Sequence, residues 1–128
     1  MSHIKRFIKI EHTVGSSILL FLYCGLIFFF SILPLIILPS NIIGLDKLLH
    51  IIAYAGLGFL SYQVLVNYRN GERTFLLIII TFIFSLCYGI SDEFHQSFVP
   101  GREPDVYDVI ADGIGSSIGI FVYHRFFV

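Results

Sequence analysis

The chain has 128 residues, the length of one domain, and combines 56% hydrophobic with only 13% charged residues at a mean hydropathy of +0.86. A soluble domain of this size needs more charge to cover its surface, so the composition excludes an ordinary soluble fold and favours apolar surface in contact with lipid. The formal net charge of −1 gives no electrostatic basis for a nucleic-acid partner.

Four apolar segments follow one another along the chain. They run from about Val14 to Leu33, Leu48 to Val66, Phe75 to Ile90 and Val106 to Phe127. Each approaches the ~20 residues that a helix needs to cross a ~30 Å hydrocarbon core, the third only if its helix continues past residue 90. The sequence therefore predicts an all-α polytopic membrane protein, one domain over residues 1–128, with helices at about 14–38, 48–66, 74–96 and 106–127 and an interfacial loop before the last.

The first segment follows Lys5, Arg6 and Lys9 and so has the outline of a signal peptide. It is too long for a signal sequence and no small-x-small cleavage site follows it, which favours a retained helix with Pro34 and Pro39 at its outer end. Between the second and third segments, residues 67–73 contain an Asn-Gly pair, which predicts a tight turn and an antiparallel helix hairpin.

Basic residues set the predicted orientation. With four crossings, one side of the membrane holds six of the eight Lys and Arg residues, and the other holds only Lys47 and Arg102. The positive-inside rule places the group of six, and with it both termini, in the cytoplasm. These six are Lys5, Arg6, Lys9, Arg69, Arg73 and Arg125.

Acidic residues show the opposite asymmetry, because seven of the nine fall on the predicted outer side. Many of them recur at helical spacing with other polar residues, so that three helices each carry a polar stripe that starts from this side. Lipid cannot solvate such stripes, and we therefore expect them to face one another inside the bundle. The stripes are Asp46, His50, Tyr54 and Gly58; Tyr88, Asp92 and Gln96; and Asp105, Asp108, Asp112 and Ser116.

Single positions leave alternatives open. Asp105 and Asp108 suit a helix N-cap and first turn as well as a binding site. Asp112 lies about two turns inside the last helix, ~10 Å deep. A lone carboxylate there costs several kcal/mol unless it is paired, hydrated, protonated or metal-bound. We expect Asp112 to belong to a site or to make a structural hydrogen bond.

The sequence Asp92-Glu93-Phe94-His95-Gln96 concentrates polar side chains at the end of the third helix. With His50 and Asp112, the carboxylates Asp92 and Glu93 are candidates for general acid–base catalysis. They are also possible ligands of a divalent metal, although the spacing matches no firm metal signature and no cofactor is expected. The remaining interpretation is a solvated helix end.

Two further features have a structural and a functional interpretation. Arg102 either pairs with Asp92, Glu93 or Asp112, or binds an anionic group such as a lipid phosphate. Small residues at positions 111, 115 and 119 favour close helix packing within the bundle over dimerisation, and the oligomeric state stays open.

Three motifs, in this order, resemble those of the VanZ-like membrane proteins. They are Asp46 to His50 (DKLLH) with Tyr54; residues 88–96 (YGISDEFHQ) with Pro100-Gly101-Arg102 and Asp105; and residues 108–115 (DVIADGIG). Asp112 is a departure, since many members carry asparagine there. The resemblance implies a small polytopic protein of the bacterial cytoplasmic membrane, in a family linked to glycopeptide-antibiotic resistance and to tolerance of teicoplanin-type lipoglycopeptides. The site residues that it implies are Asp46, Lys47, His50, Tyr54, Asp92, Glu93, Gln96, Arg102, Asp108 and Asp112.

Three functions compete at this point. The outer polar cluster would bind a membrane lipid, a lipid-linked cell-wall precursor or a lipoglycopeptide, and so protect the envelope. Alternatively, the chain would be a membrane enzyme acting on a lipid-linked substrate by acid–base or metal-assisted chemistry. A third possibility is a structural or assembly protein in which the cluster only locks the helices together.

Overall fold

The computed structural model describes residues 2–33, 44–69 and 73–128. Within these ranges the chain forms four α-helices and no strand, and each helix is long and apolar enough to cross a membrane. The predicted all-α class and the predicted four-helix bundle are confirmed. The predicted Asn-Gly turn at residues 70–71, Pro34 and Pro39 lie outside the described residues. The helices are α1 (Ser2–Ile32), α2 (Leu45–Arg69), α3 (Thr74–Gln96) and α4 (Val106–Phe127).

The helix ends differ from the prediction mainly in α1. This helix begins at Ser2 rather than near residue 14 and covers Ser2–Ile32, whereas residues 34–38 of the predicted helix lie outside the described residues. Its candidate membrane span covers Lys9–Ile32. Since residues 2–13 contain neither glycine nor proline, nothing in them interrupts the helix before it enters the apolar region. Helix α3 continues past Ile90 to Gln96, which carries the polar stretch 92–96 on regular helix.

Helices α2 and α4 pack so closely that their backbones touch. A Cβ added to Gly115 would lie 2.9 Å from the carbonyl carbon of Ile51, and one added to Gly119 would lie 2.7 Å from the backbone nitrogen of Phe59. On the other helix, Gly58 faces the backbone of Ser116. The small-residue pattern of α4 therefore serves packing within the bundle, as the sequence favoured.

Several polar side chains lie inside this bundle, whereas many phenylalanine side chains lie outside. Among the described residues, Asp112, Ser85 and Ser116 are completely buried, whereas Phe21 and Phe75 are 78% and 76% exposed. In water this arrangement would leave large apolar surfaces unprotected. In hydrocarbon it is the stable one, because lipid solvates the aromatic rings and neighbouring helices enclose the polar groups.

At one end of the bundle, buried tyrosine rings pack against each other. Tyr62, Leu77, Ile120 and Tyr123 form a buried cluster, with the rings of Tyr62 and Tyr123 edge to face at 5.7 Å. Tyr62 also shares a hydrogen bond of 3.1 Å with His124. The opposite end contains the start of α2, the end of α3 and the start of α4, and the polar stripes meet there.

Helix α1 is attached to the other helices by tyrosine hydroxyls. Tyr23 donates a hydrogen bond to the carbonyl of Ala53 on α2 (2.8 Å), and its ring fills the space that Gly56 leaves open. Tyr88 on α3 donates to the carbonyl of Cys24 (2.6 Å). These bonds fix α1 beside the polar end of the bundle.

Candidate functional site

Lys47 joins the start of α2 to the start of α4. Its ammonium lies 2.9 Å from Asp46 Oδ2, 2.5 Å from Asp105 Oδ2 and 2.6 Å from Asp108 Oδ1. An ammonium has three N–H donors, so these three carboxylates saturate it. Lys47 therefore assembles the site and has no donor left for a ligand.

Asp105 has two structural roles at once. It is the N-cap of α4, and its Oδ1 accepts the backbone N–H of Tyr107 at 2.8 Å. The hydrogen bond from Lys47, together with this cap, holds the pKa of the Asp105 carboxyl below its usual range. The capping interpretation of Asp105 is thus confirmed, as is the position of Asp108 in the first turn.

Of the two carboxylates near the end of α3, Glu93 is bonded to the start of α4 and Asp92 is bonded within α3. Glu93 Oε2 accepts the backbone N–H of Asp105 at 2.9 Å, while Gln96 Nε2 donates to Asp92 Oδ2 at 3.1 Å. Both carboxylates are buried, with exposed fractions of 5% and 6% for Glu93 and Asp92. Glu93, one of the predicted site residues, therefore holds the end of the α3–α4 loop against α3.

His50 and the buried Asp112 form a pair across the α2–α4 contact. His50 Nδ1 lies 2.8 Å from Asp112 Oδ1, and Asp112 is fully buried. Asp112 Oδ2 faces Gly89 of α3, where a Cβ would leave it no room. An ionised Asp112 can only accept, so a neutral His50 donates through Nδ1 and has its lone pair on Nε2, directed away from Asp112.

That Nε2 lies among further carboxylates. It is 3.7 Å from Asp108 Oδ2, too far for a hydrogen bond. One ligand atom each from His50, Glu93 and Asp108 lies within 4.8 Å of the other two. These three side chains are the group in the described part of the chain that could hold a metal ion.

The site borders an amphipathic cavity of about 600 Å³, which lies between α1, the start of α2 and the loop before α4. Its polar side contains ionisable and amide groups from α2, the end of α3, the following loop and the start of α4: Asp46, His50, Tyr54, Asp92, Gln96, Arg102, Glu103, Asp105 and Asp108. Its apolar side comes from α1 and the outer face of α2: Tyr23, Leu26, Ile27, Phe30, Leu33, Leu49, Ile52 and Ala53, with Ser31 among them.

Arg102 lines this cavity without an ionic partner. No carboxylate in the described ranges lies within 4.0 Å of its guanidinium nitrogens, and its buried Nε has no hydrogen-bond partner there. The pairing of Arg102 with Asp92, Glu93 or Asp112 that the sequence allowed is therefore absent from this structure. Its charge faces the cavity instead.

The predicted polar stripes do meet at one end of the bundle. Of the ten site residues that the motifs implied, seven line the amphipathic cavity, and Lys47, Glu93 and Asp112 lie directly behind its wall. The sequence interpretation missed the α1 wall. Ser31, a lone hydroxyl among phenylalanines with an exposed fraction of only 4%, was the available signal for it.

Comparison with known proteins gives one match. A family model described as VanZ/LLP1 matches residues 4–127, nearly the whole chain. No curated protein and no solved structure matches.

Proposed function

The chain belongs to the VanZ/LLP1 family, and on that premise we propose that its amphipathic cavity binds the phosphorylated head of a lipid-linked cell-envelope component. Such binding would take place on the outer face of the bacterial cytoplasmic membrane and would serve envelope protection. The observation that carries this proposal is the division of the cavity into a charged side and an apolar side. A molecule that satisfies both has a polar head and a hydrocarbon tail.

Arg102 supports the choice of a phosphorylated head. It is the cavity-lining guanidinium that no described carboxylate neutralises, and guanidinium groups bind phosphate oxygens as a bidentate fork. Lys47 cannot fill this role, because three carboxylates already engage its ammonium. The acceptors Asp46 and Asp92 on the same side suit hydroxyl or amino donors, which the sugars of a cell-wall precursor carry.

The outward orientation rests on charge. The cavity lies at the end of the bundle where α2 and α4 begin, and Arg69 and Arg125 lie at the end where these helices finish. Since basic residues are retained in the cytoplasm, the cavity end would face outward. A cysteine introduced at Glu103, in the exposed loop of the cavity end, should react with an impermeant maleimide on intact cells, whereas one at Arg125 should react only after lysis.

Binding can be tested with a pair of lipids that differ only in the head. The purified protein in nanodiscs is expected to bind undecaprenyl phosphate and to discriminate against undecaprenol. Loss of a charge-assisted bidentate contact costs about 1.5–3 kcal/mol, so Arg102→Ala should weaken undecaprenyl phosphate binding about 10–100-fold. Arg125→Ala, which removes the same charge at the opposite end of α4, is the matched control. Equal affinity for the two lipids, or equal loss in the two variants, would contradict the proposal.

A teicoplanin-type lipoglycopeptide is a second ligand that the apolar wall would suit, through its acyl chain. The discriminating measurement compares teicoplanin with its deacylated form in the same nanodisc assay. Tighter binding of the acylated form, together with higher tolerance in cells that express the protein, would favour this ligand. Binding of neither form would restrict the function to endogenous lipids.

The His50–Asp112 pair favours a second candidate function, namely catalysis on the bound head group. An imidazole oriented by a buried carboxylate, with its other nitrogen directed toward a cavity, is the arrangement of a general base. The test is turnover of undecaprenyl-pyrophosphate-linked substrates by the wild type and by His50→Ala. His95→Ala is the control, because His95 stacks on Phe28 (4.4 Å) away from the pair. Absence of turnover in the wild type would leave binding as the function.

A further inference from the structure

We propose that His50, Glu93 and Asp108 hold a divalent transition-metal cation at the polar side of the amphipathic cavity. This inference goes beyond the lipid proposed above and does not depend on it, because it concerns the binding of the metal alone. It rests on the spacing, orientation and burial of three side chains from three different helices.

The spacing suits a cation and does not suit direct contact. His50 Nε2 and Asp108 Oδ2 are 3.7 Å apart, and the ligand atoms of all three residues lie within 4.8 Å of one another. Two ligands at ~2.1 Å from a tetrahedral metal are separated by about 3.4 Å. Small rotamer changes would therefore bring Nε2 and Oδ2 to coordination distance, whereas without an ion they are too distant to bond to each other.

The orientation of His50 is the one that a metal ligand requires. Its Nδ1 is engaged by the buried Asp112 carboxylate at 2.8 Å, which leaves the lone pair on Nε2. Metal-binding histidines characteristically donate their second ring N–H to a carboxylate in this way, and the contact fixes the tautomer and makes the imidazole a better ligand. Asp112, on α4, would thus position the α2 ligand without touching the cation.

An unsatisfied buried oxygen provides an independent indication of a ligand. Glu93 is 5% exposed, its Oε2 accepts the Asp105 N–H, and its Oε1 has no hydrogen-bond partner among the described residues. A buried carboxylate oxygen without a partner is costly, and a bound cation removes that cost. The oxygen belongs to the same side chain whose ligand atom approaches His50 and Asp108.

The charges around His50, Glu93 and Asp108 also favour a bound cation. Asp92, Glu93, Asp108 and Asp112 are all buried, and Lys47 contacts only Asp108 of these four. A dication would offset the excess of negative charge that the helices enclose. His50 and Asp108 also line the amphipathic cavity, so the open coordination positions of the metal would face it. One imidazole with two carboxylates favours Mn²⁺, Fe²⁺ or Zn²⁺ over Mg²⁺ or Ca²⁺.

The test uses Mn²⁺ as the probe and reads its ligands directly. The full-length protein, stripped with chelator and titrated with Mn²⁺ in detergent, is expected to bind one ion per chain. Its electron-spin-echo spectrum should show a histidine nitrogen coupled to the ion. His50→Ala should remove the nitrogen signal, and Glu93→Gln should weaken Mn²⁺ binding at least about tenfold. Zn²⁺ should compete for the site and Mg²⁺ should not.

Matched controls separate this site from general attraction to acidic residues. Glu103→Gln removes an equal charge from the same cavity wall, and His95→Ala removes an imidazole that stacks on Phe28 outside the group, so both variants should bind Mn²⁺ as the wild type does. The wild-type spectrum decides the question even if the His50 variant does not fold. Absence of Mn²⁺ binding, binding without nitrogen coupling, or equal weakening by Glu103→Gln would overturn the metal site. None of these results would affect the binding of undecaprenyl phosphate through Arg102.

Discussion

The two ends of the α2–α4 contact are built from opposite chemistry on the same pair of helices. One end buries Tyr62 and Tyr123 in edge-to-face contact, with a single polar link to His124. The other end joins the same helices through Lys47 with three carboxylates and through His50 with Asp112. Between them lie glycines at backbone contact.

The two ends also differ in what their contacts cost. Ring packing stabilises a membrane bundle without cost in desolvation, whereas each buried charge carries a penalty that its partners only offset. Asp92, Glu93, Asp108 and Asp112 are nevertheless all buried at the polar end. The polar end is therefore the part of the α2–α4 contact at which we propose that ligands bind.

The largest expected effect is a loss of unfolding free energy from a substitution at the glycines midway along the α2–α4 contact. Gly119→Val would drive a side chain into the backbone of Ala55 and Phe59, and we expect a loss of about 3 kcal/mol or more in unfolding free energy. Gly113→Ala is the control, since its Cβ would meet only side chains at 3.8 Å. Unfolding in mixed micelles measures both variants. Equal unfolding free energies for Gly119→Val and Gly113→Ala would contradict the close backbone contact between α2 and α4.

At the ring end, a large apolar truncation should lower stability and leave ligand binding intact. Leu77, 2% exposed, packs in the ring cluster, so Leu77→Ala should cost about 2 kcal/mol. Its neighbour Leu76 is 41% exposed, and Leu76→Ala should have little effect. The affinity for undecaprenyl phosphate is expected to be unchanged in both. A drop in affinity with Leu77→Ala would show that the two ends are not independent.

At the polar end, Lys47→Met keeps an apolar stem but leaves three carboxylates without their cation. Because the Lys47 side chain is 31% exposed, solvent screens part of the repulsion, and we expect a loss of about 1–2 kcal/mol. The ligand affinity should fall as well, since Asp46 and Asp108 would no longer be held at the cavity. Lys9→Met, in α1 near the other end, is the comparison. Stability equal to that of the wild type would mean that Lys47 does not join α2 to α4.

The smallest expected effect is a pH dependence through Asp105. Its pKa is depressed in the folded protein by the hydrogen bond from Lys47, so its contribution to stability is complete above the ordinary aspartate pKa of about 4. That contribution is lost as the pH falls through the lower, folded-state pKa. Asp105→Asn keeps a good N-cap but does not titrate, and its unfolding free energy should therefore fall less between pH 6 and pH 3. Identical pH profiles would contradict the role assigned to this ion pair.

Much of the polar end could be predicted from spacing alone. The four-residue recurrence of Asp46, His50 and Tyr54 fixes one face of a helix, and the exclusion of charge from lipid requires that face to turn inward. The capping role of Asp105 likewise follows from its position before an apolar run. Capping and helix spacing depend on neighbouring residues, and the inward orientation depends on the exclusion of charge from lipid. None of these inferences requires knowledge of how the helices pack together.

The pairings could not be predicted in the same way. Whether Lys47 meets Asp105 and Asp108, and whether Arg102 meets any carboxylate, depends on how α2 and α4 are rotated about their axes. That rotation is set by the fit of Gly115 and Gly119 against the backbone of α2, which spacing within α4 alone does not give. The α1 wall was missed for a related reason, since an evenly apolar helix does not indicate which face turns inward.

The position of α1 beside the cavity has a consequence for the route by which a ligand enters. Leu26, Leu49 and Ile52 line the amphipathic cavity and are also 49%, 41% and 59% exposed. We therefore expect a side entrance to the cavity between α1 and α2, at these three residues. A molecule anchored by a long tail could reach it by two-dimensional diffusion within the leaflet, without first leaving the bilayer for water.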